Sequence, residues 1–307
     1  RHVLYPIQHQ DVWTLYKKAQ SAYWTAEELE LTKDGDDWDA LNDNERHFIK
    51  HVLAFFAASD GIVMENLAAR FMTDVKIPEA RAFYAFQIAI ETVHSEVYAL
   101  LLDSYVKDSV EKSKLFHAVT EMPCIAKKAN WALQWISDFN STFAERLVAF
   151  ACIEGIFFSG AFCAIFWVKE RGILPGLCSS NEFISRDEAM HTDLACLLYS
   201  KLQTKVDHTK VLDIVLQAQK IEHEFITSAL PCALLGMNAG LMGAYIEFVT
   251  DRLLLQLGLD KHFGTKNPFA FMDRISLQTK ANFFEHRESN YSKAQSERVL
   301  DFSNFDF

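Results

Sequence analysis

Glycine and proline are scarce in this chain, at 11 and 6 among 307 residues, and β-branched runs are few. That scarcity excludes a sheet protein, whose turns need both residues at regular intervals, and leaves an all-α chain. Positive charge is short as well. Lys and Arg number 30 against 41 Asp and Glu, a formal net charge of −11. A non-specific nucleic-acid binder would need a basic face, and an anionic membrane surface would repel this one. The six cysteines, at 124, 152, 163, 178, 196 and 232, include no Cys-x-x-Cys pair. They read as reduced, buried thiols of an intracellular protein. The chain starts at Arg1 rather than Met, so targeting is not read from that end.

What is present is apolar surface. Half of the residues are hydrophobic, enough for one large core or two ordinary ones. Two aromatic-spotted segments surround Trp13 and Trp24, and Asp34-Gly-Asp-Asp reads as a turn. Asn42 and Glu45 form a capping-box pattern that opens a helix to about Phe71. Pro78 opens the next helix, residues 111–137 are helical with a break at Pro123, and Ser141-Thr-Phe-Ala-Glu starts another. After a break near Gly172–Gly176, helices are expected over 181–203, 207–230 and 232–258, and Asn267-Pro-Phe opens a short one. From about His286 the pattern fails. The expected division is a helical domain over 1–286 and a flexible tail over 287–307. Ala149–Val168 is long and apolar enough to span a membrane. With Glu154, Gly155 and Gly160 inside it and amphipathic helices after it, it reads instead as a helix buried on all sides.

Such a helix must account for its glutamate, because a buried carboxylate is costly unless paired or bound to metal. Partners exist. Ile90-Glu-Thr-Val-His-Ser-Glu-Val-Tyr puts Glu91, His94 and Tyr98 on one helical face, at i, i+3 and i+7. Glu-x-x-His alone is weak, yet it recurs at Glu188 and His191. Asp60 precedes the first pair by 31 residues and Glu154 precedes the second by 34. The order acid, Glu-x-x-His, acid, Glu-x-x-His, each on its own helix, is a pseudo-repeat of two metal half-sites. It is the donor set of ferritin-like dinuclear carboxylate bundles. Four carboxylates neutralise two divalent ions and two imidazoles add borderline donors, a set that suits iron or manganese better than zinc or copper.

Four segments carry a closer likeness: Phe55-Phe-Ala-Ala-Ser-Asp-Gly-Ile-Val, Ile90 to Tyr98, Ile153-Glu-Gly-Ile-Phe-Phe-Ser-Gly, and Ile184-Ser-Arg-Asp-Glu-Ala-Met-His. With them the chain resembles, from about Pro6 to Glu285, the small, radical-carrying subunit of class I ribonucleotide reductases of the eukaryotic type. Met64 departs from that family's polar residue, and the ending Phe-Ser-Asn-Phe-Asp-Phe departs from its Leu/Asp-rich tail. The resemblance implies a ferritin-like bundle with extra helices that holds two iron ions per chain at Asp60, Glu91, His94, Glu154, Glu188 and His191. With O₂ these oxidise Tyr98 to a stable radical, which is passed to a large subunit that reduces ribonucleotides. It further implies a pocket of Phe158, Phe162 and Ile184 around the phenol, and a hydrogen-bonded wire from iron through His94 and Asp187 to Trp24. Tyr291 would relay to the large subunit, which the tail would grip through Phe302, Phe305 and Phe307. A cytoplasmic homodimer is expected, with no nucleic-acid or membrane partner. A free-standing diiron oxidase of the desaturase or hydroxylase kind is the alternative, since it would use the same ligands.

Overall fold

Helix starts fall where the chain supplies its own caps. In the computed structural model, which describes residues 3–274, α1 spans Gln10–Ser21 and α2 spans Asp43–Asn66. The Asn42 side chain accepts the Glu45 amide at 3.0 Å while Glu45 accepts the Asn42 amide at 2.9 Å. The expected capping box is therefore closed in both directions. Pro78 is the first residue of α3, Pro78–Tyr105, and Pro123 that of α4, Pro123–Ser137, positions where the missing N–H does no harm. Thr142 caps α5, Phe143–Cys152, through a second capping box with Glu145. Then come α6, Ser159–Glu170; α7, Pro175–Lys201; α8, His208–Glu224; and α9, Ala239–Gln256. No strand occurs among the described residues.

Helices α2 and α3 pack side by side, α5 and α6 lie against α7, and α8 pairs with α9 behind them. Helix α1 crosses α3 and α7. The core is strongly aromatic: Phe48, Phe55, Phe56, Phe71, Phe83, Phe150, Phe158 and Phe225 are all fully buried. Each removes about 1.5–3 kcal/mol worth of apolar surface from water. The stretch Phe143–Glu170 is long and apolar enough to cross a membrane, but nearly all of its most apolar part is buried inside the bundle. It is a core helix, as its glutamate and glycines suggest.

Three expectations need correcting. Asp34-Gly-Asp-Asp is not a turn: Thr32–Asp34 is a 3-10 turn and Gly35–Ala40 a short helix. The reason is distant, since buried Asp34 accepts the Gly176 and Leu177 amides at 2.7 and 2.8 Å and so caps α7 from another part of the chain. Asp37 likewise accepts the Leu174 amide at 2.8 Å. This external cap starts α7 at Pro175, ahead of the expected residue 181. The segment 232–258 is not one helix either. A 3-10 turn, Cys232–Leu235, ends at Gly236 with φ 77°, and Asn238 then caps α9.

The chain divides into a unit of Arg1–Phe269 and a second of Ala270–Phe307. The expected boundary at 286/287, Tyr291 and the phenylalanines 302, 305 and 307 lie outside the described residues.

Candidate metal centre

Six donors converge from four helical stretches. Asp60 comes from α2, Glu91 and His94 from α3, Glu154 from the link between α5 and α6, and Glu188 and His191 from α7; all are at most 3% exposed. Their ligand atoms fall into two groups, Glu91, Glu154, Glu188 and His191 in one, Asp60, Glu91 and His94 in the other, each within 4.8 Å of one another. Glu91 approaches His94 Nδ1 with one carboxylate oxygen at 3.1 Å and His191 Nδ1 with the other, also at 3.1 Å. Glu188 repeats this, at 3.2 Å to His94 and 2.9 Å to His191. Each of these two carboxylates thus presents an oxygen to both imidazoles, so each would be available to both ligand groups.

Glu154 reaches the cluster through a local distortion. Ile153–Phe157 is a π turn between α5 and α6, and such one-turn bulges concentrate at functional sites. A Cβ on Gly155 would meet the Thr192 side chain at 3.1 Å, so glycine lets this turn lie directly against α7. Gln87 donates to Glu154 at 3.0 Å. Nothing in the residue pattern announces the π turn; only the glycine beside a buried acid hints at it.

The electrostatics are those of a cation site. Burial, then the neighbouring carboxylates, raise Asp60 and Glu154 well above the usual carboxylate range. Glu188 moves the other way: burial works against its charge, but His191 and His94 outweigh burial and hold it low. Burial also opposes charge on His191, yet Glu188 and Glu91 hold it up at about 10. Asp60 Oδ2 and Glu154 Oε2 are buried without a hydrogen-bond partner. Orphaned carboxylate oxygens beside two imidazoles, in a set of hard and borderline donors, fit a pair of divalent ions. The six residues together would hold them.

Tyr98 lies one turn beyond His94, 3% exposed, with burial and then Asp60 pushing its phenol well above the ordinary range. Its ring stacks on Phe56, centroids 4.9 Å apart, and Phe56 in turn stacks on Phe162 at 5.1 Å. Phe158 packs on Phe56 and Phe162, and Ile184 is buried nearby in sequence to Glu188. Phe56 is the aromatic neighbour that spacing from Glu154 could not reveal; its clue was its place four residues before Asp60.

The outward contacts are direct. Trp24 Nε1 donates to Asp187 Oδ2 at 2.8 Å, and His94 Nε2 lies 3.1 Å from the same oxygen. The Trp24 and His94 rings are stacked at 5.9 Å. Arg186 ties the segment down by donating to the Ala22 carbonyl at 2.7 Å. A capping box between Thr25 and Glu28 fixes the backbone just after the indole.

A family model described as ribonucleotide reductase, small chain, matches residues 1–268. One of the ribonucleoside-diphosphate reductase small chains of Arabidopsis thaliana is 61% identical over 96% of this chain and 89% of its own length. The ribonucleoside-diphosphate reductase subunit M2 of Danio rerio is 57% identical over 95% and 76%. Among solved structures, the ribonucleotide reductase Rnr4 homodimer from Saccharomyces cerevisiae superposes with a TM-score of 0.83. It is 38% identical and covers 95% of this chain and 90% of that one. The dimanganese(II) protein NrdF of Streptococcus sanguinis, 17% identical over 90% and 99%, shares the fold at a TM-score of 0.80.

Proposed function

This chain belongs to the ribonucleotide reductase small-chain family and is the small subunit of a ribonucleoside-diphosphate reductase, and on that premise we propose that its buried cluster holds two iron ions and that Tyr98 carries the radical. The observation that carries the reading is the way Glu91 and Glu188 each span His94 and His191, with Tyr98 one turn further on the same helix face. When bound, the iron pair supplies O₂ reduction, and with it the oxidising power to take one electron from a phenol.

The protein's own part is placement. Asp60, Glu91, Glu154 and Glu188 neutralise the cations, and His94 and His191 complete the ligand set. Asp187 accepts from the Trp24 indole and holds the His94 ring by its other nitrogen, as carboxylates do for metal-bound histidines. Asp187 and Trp24 then form a wire for coupled electron and proton movement towards the surface. Phe56, Phe158, Phe162 and Ile184 keep water and reductants from the Tyr98 ring. Tyr291 relays the electron onward, and the tail docks on the large subunit through Phe302, Phe305 and Phe307.

We further propose a cytoplasmic homodimer. Its surface would be the outward faces of α2, of the π turn Leu67–Phe71 that follows it and of α3, where exposed Gly61, Glu65 and Ala68 run beside exposed Ala85, Ala89, Thr92 and Glu96. The small residues among them, Gly61, Ala68, Ala85 and Ala89, would allow a second copy to approach closely.

The test is an anaerobic Fe(II) titration followed by O₂. The expected result is about two iron ions per chain and a tyrosyl EPR signal that is lost in Tyr98→Phe while the iron remains. A signal unchanged in that variant would overturn the radical assignment. O₂-dependent oxidation of a small substrate by this chain alone, with no ribonucleotide reduction when a large subunit is added, would point to the free-standing oxidase.

A further inference from the structure

One buried ion pair plays no part in the centre described above. Lys128 of α4 is 1% exposed and Glu222 of α8 is 0% exposed, and their side chains form a salt bridge. The ammonium sits between two aromatic faces, 4.0 Å from the Phe55 centroid and 3.7 Å from that of Phe225. Two charges buried this deeply are seldom retained for stability alone, since apolar residues of similar volume usually serve as well. Their remaining hydrogen bonds say where they act. Lys128 Nζ donates to the Phe157 carbonyl at 2.7 Å, and Glu222 Oε1 accepts the Gly160 amide at 3.0 Å.

Those two backbone groups flank the junction where the π turn Ile153–Phe157 gives way to α6. A π turn shifts the helical ladder by one residue, and its stability depends on partners outside the helix. Here one ion pair supplies both kinds of partner, a donor for the last carbonyl of the turn and an acceptor for an amide just beyond it. Room for this is specific. A Cβ on Gly160 would lie 2.5 Å from Glu222 Oε1 and 3.0 Å from Ile226. Phe157 is three residues from Glu154, so the same junction sets where the Glu154 carboxylate points.

We propose that the Lys128–Glu222 pair is a positioning device for Glu154: by bracketing the π turn it holds that carboxylate in the metal site, without touching metal itself. The inference rests on the metal-site reading above and adds residues outside the ligand set. It predicts an asymmetric effect. Of the two ligand groups, only the one of Glu91, Glu154, Glu188 and His191 contains the positioned carboxylate; the group of Asp60, Glu91 and His94 does not.

The test is titration of the metal-free, full-length chain with Mn(II), free ion being followed by EPR well below the melting temperature. The double variant K128M/E222Q introduces no unpaired buried charge and removes the donation to Phe157. It should weaken one of the two ions about tenfold or more, while the other stays within about threefold, the size of effect that outer-shell partners have on metal sites. Two parent-like affinities in the double variant would overturn the proposal. So would equal weakening of both ions in step with a lowered melting temperature. If the double variant does not fold, Gly160→Ala, which displaces Glu222 from the amide, decides on the same criteria. A parent chain that takes up fewer than two ions would instead overturn the metal-site reading itself.

Discussion

Replacing Asp34 with Ala should unsettle the molecule far more than loss of one acid from a loop. The carboxylate is fully buried and accepts three hydrogen bonds: the Gly176 amide at 2.7 Å, the Leu177 amide at 2.8 Å and the Tyr105 hydroxyl at 2.5 Å. Two of these are first-turn donors of α7, so Asp34 acts as its cap and as a charge at the positive end of the helix dipole. Losing a cap costs about 0.5–2 kcal/mol. A buried donor left without an acceptor costs about 1–3 kcal/mol, and the Tyr105 phenol, pressed flat on Trp38 at 4.3 Å, has little freedom to turn elsewhere. These contributions sum to about 1.5–5 kcal/mol and overlap, giving about 2–4 kcal/mol for Asp34→Ala, or a melting temperature lower by about 3–6 °C in a chain of 307 residues. Asp34→Asn keeps one acceptor oxygen but loses the charge and turns its NH₂ towards at least one of the three donors, for about 1–2 kcal/mol. Urea denaturation of the metal-free parent and both variants measures the order and the spacing. Hydrogen exchange at the Gly176 and Leu177 amides should quicken in Asp34→Ala. A loss below about 1 kcal/mol, or Asn as harmful as Ala, would refute the assignment of Asp34 as a remote cap.

Glu154→Ala should lose at least one metal ion and leave the apoprotein helical, as metal analysis and far-UV circular dichroism would register; full loading would remove Glu154 from the ligand set. Trp24→Phe, which deletes the N–H given to Asp187, should leave iron uptake and the Tyr98 signal intact but slow turnover with the large subunit by about tenfold or more; unchanged turnover would exclude Trp24 from the route. In the metal-free chain, His191 is raised from 6.5 to about 10, so its contribution to stability is full below pH 6.5 and is lost as the pH climbs through about 10. The apoprotein's melting temperature should therefore fall over that window, whereas Mn(II) affinity should rise with pH because binding must release that proton; a flat affinity profile would contradict the imidazole's role. Deleting Asp301–Phe307 should leave iron loading and the radical unchanged while nucleotide reduction drops to background, and the seven-residue peptide should inhibit the intact pair; full turnover after the deletion would end the docking proposal.

The parts of the fold that were legible in the sequence are those set by local chemistry. Asn42 and Glu45, or Pro78 and Pro123, act within one turn of themselves, so the helix starts they imply needed no tertiary knowledge. The six donors were legible because Glu-x-x-His repeats at helical spacing. What escaped was set at a distance. Asp34 looked like a turn residue because its partners lie more than 140 residues away. Lys128 and Glu222 carry no local signal, and only packing brings them together. The π turn at Ile153–Phe157 obeys no residue pattern; its amide and carbonyl partners come from other helices. The contact of Trp24 with Asp187 was anticipated from family resemblance alone, because no periodicity links an N-terminal indole to a residue on α7.

That contact joins positions 163 apart in the sequence, and it has a consequence for how the protein is made. At ribosomal rates of about 5–20 residues per second, the indole waits roughly 8–30 s before its acceptor has even been synthesised. Asp60, Glu91 and His94 emerge early, while Glu188 and His191 arrive together with Asp187. A nascent polypeptide that ends before Asp187 therefore carries at most four of the six candidate donors, Asp60, Glu91, His94 and Glu154. The remaining two, Glu188 and His191, and the indole's acceptor Asp187 are supplied by the same helix at the same moment. On the metal-site proposal, no complete site exists until the helix that closes it has been made.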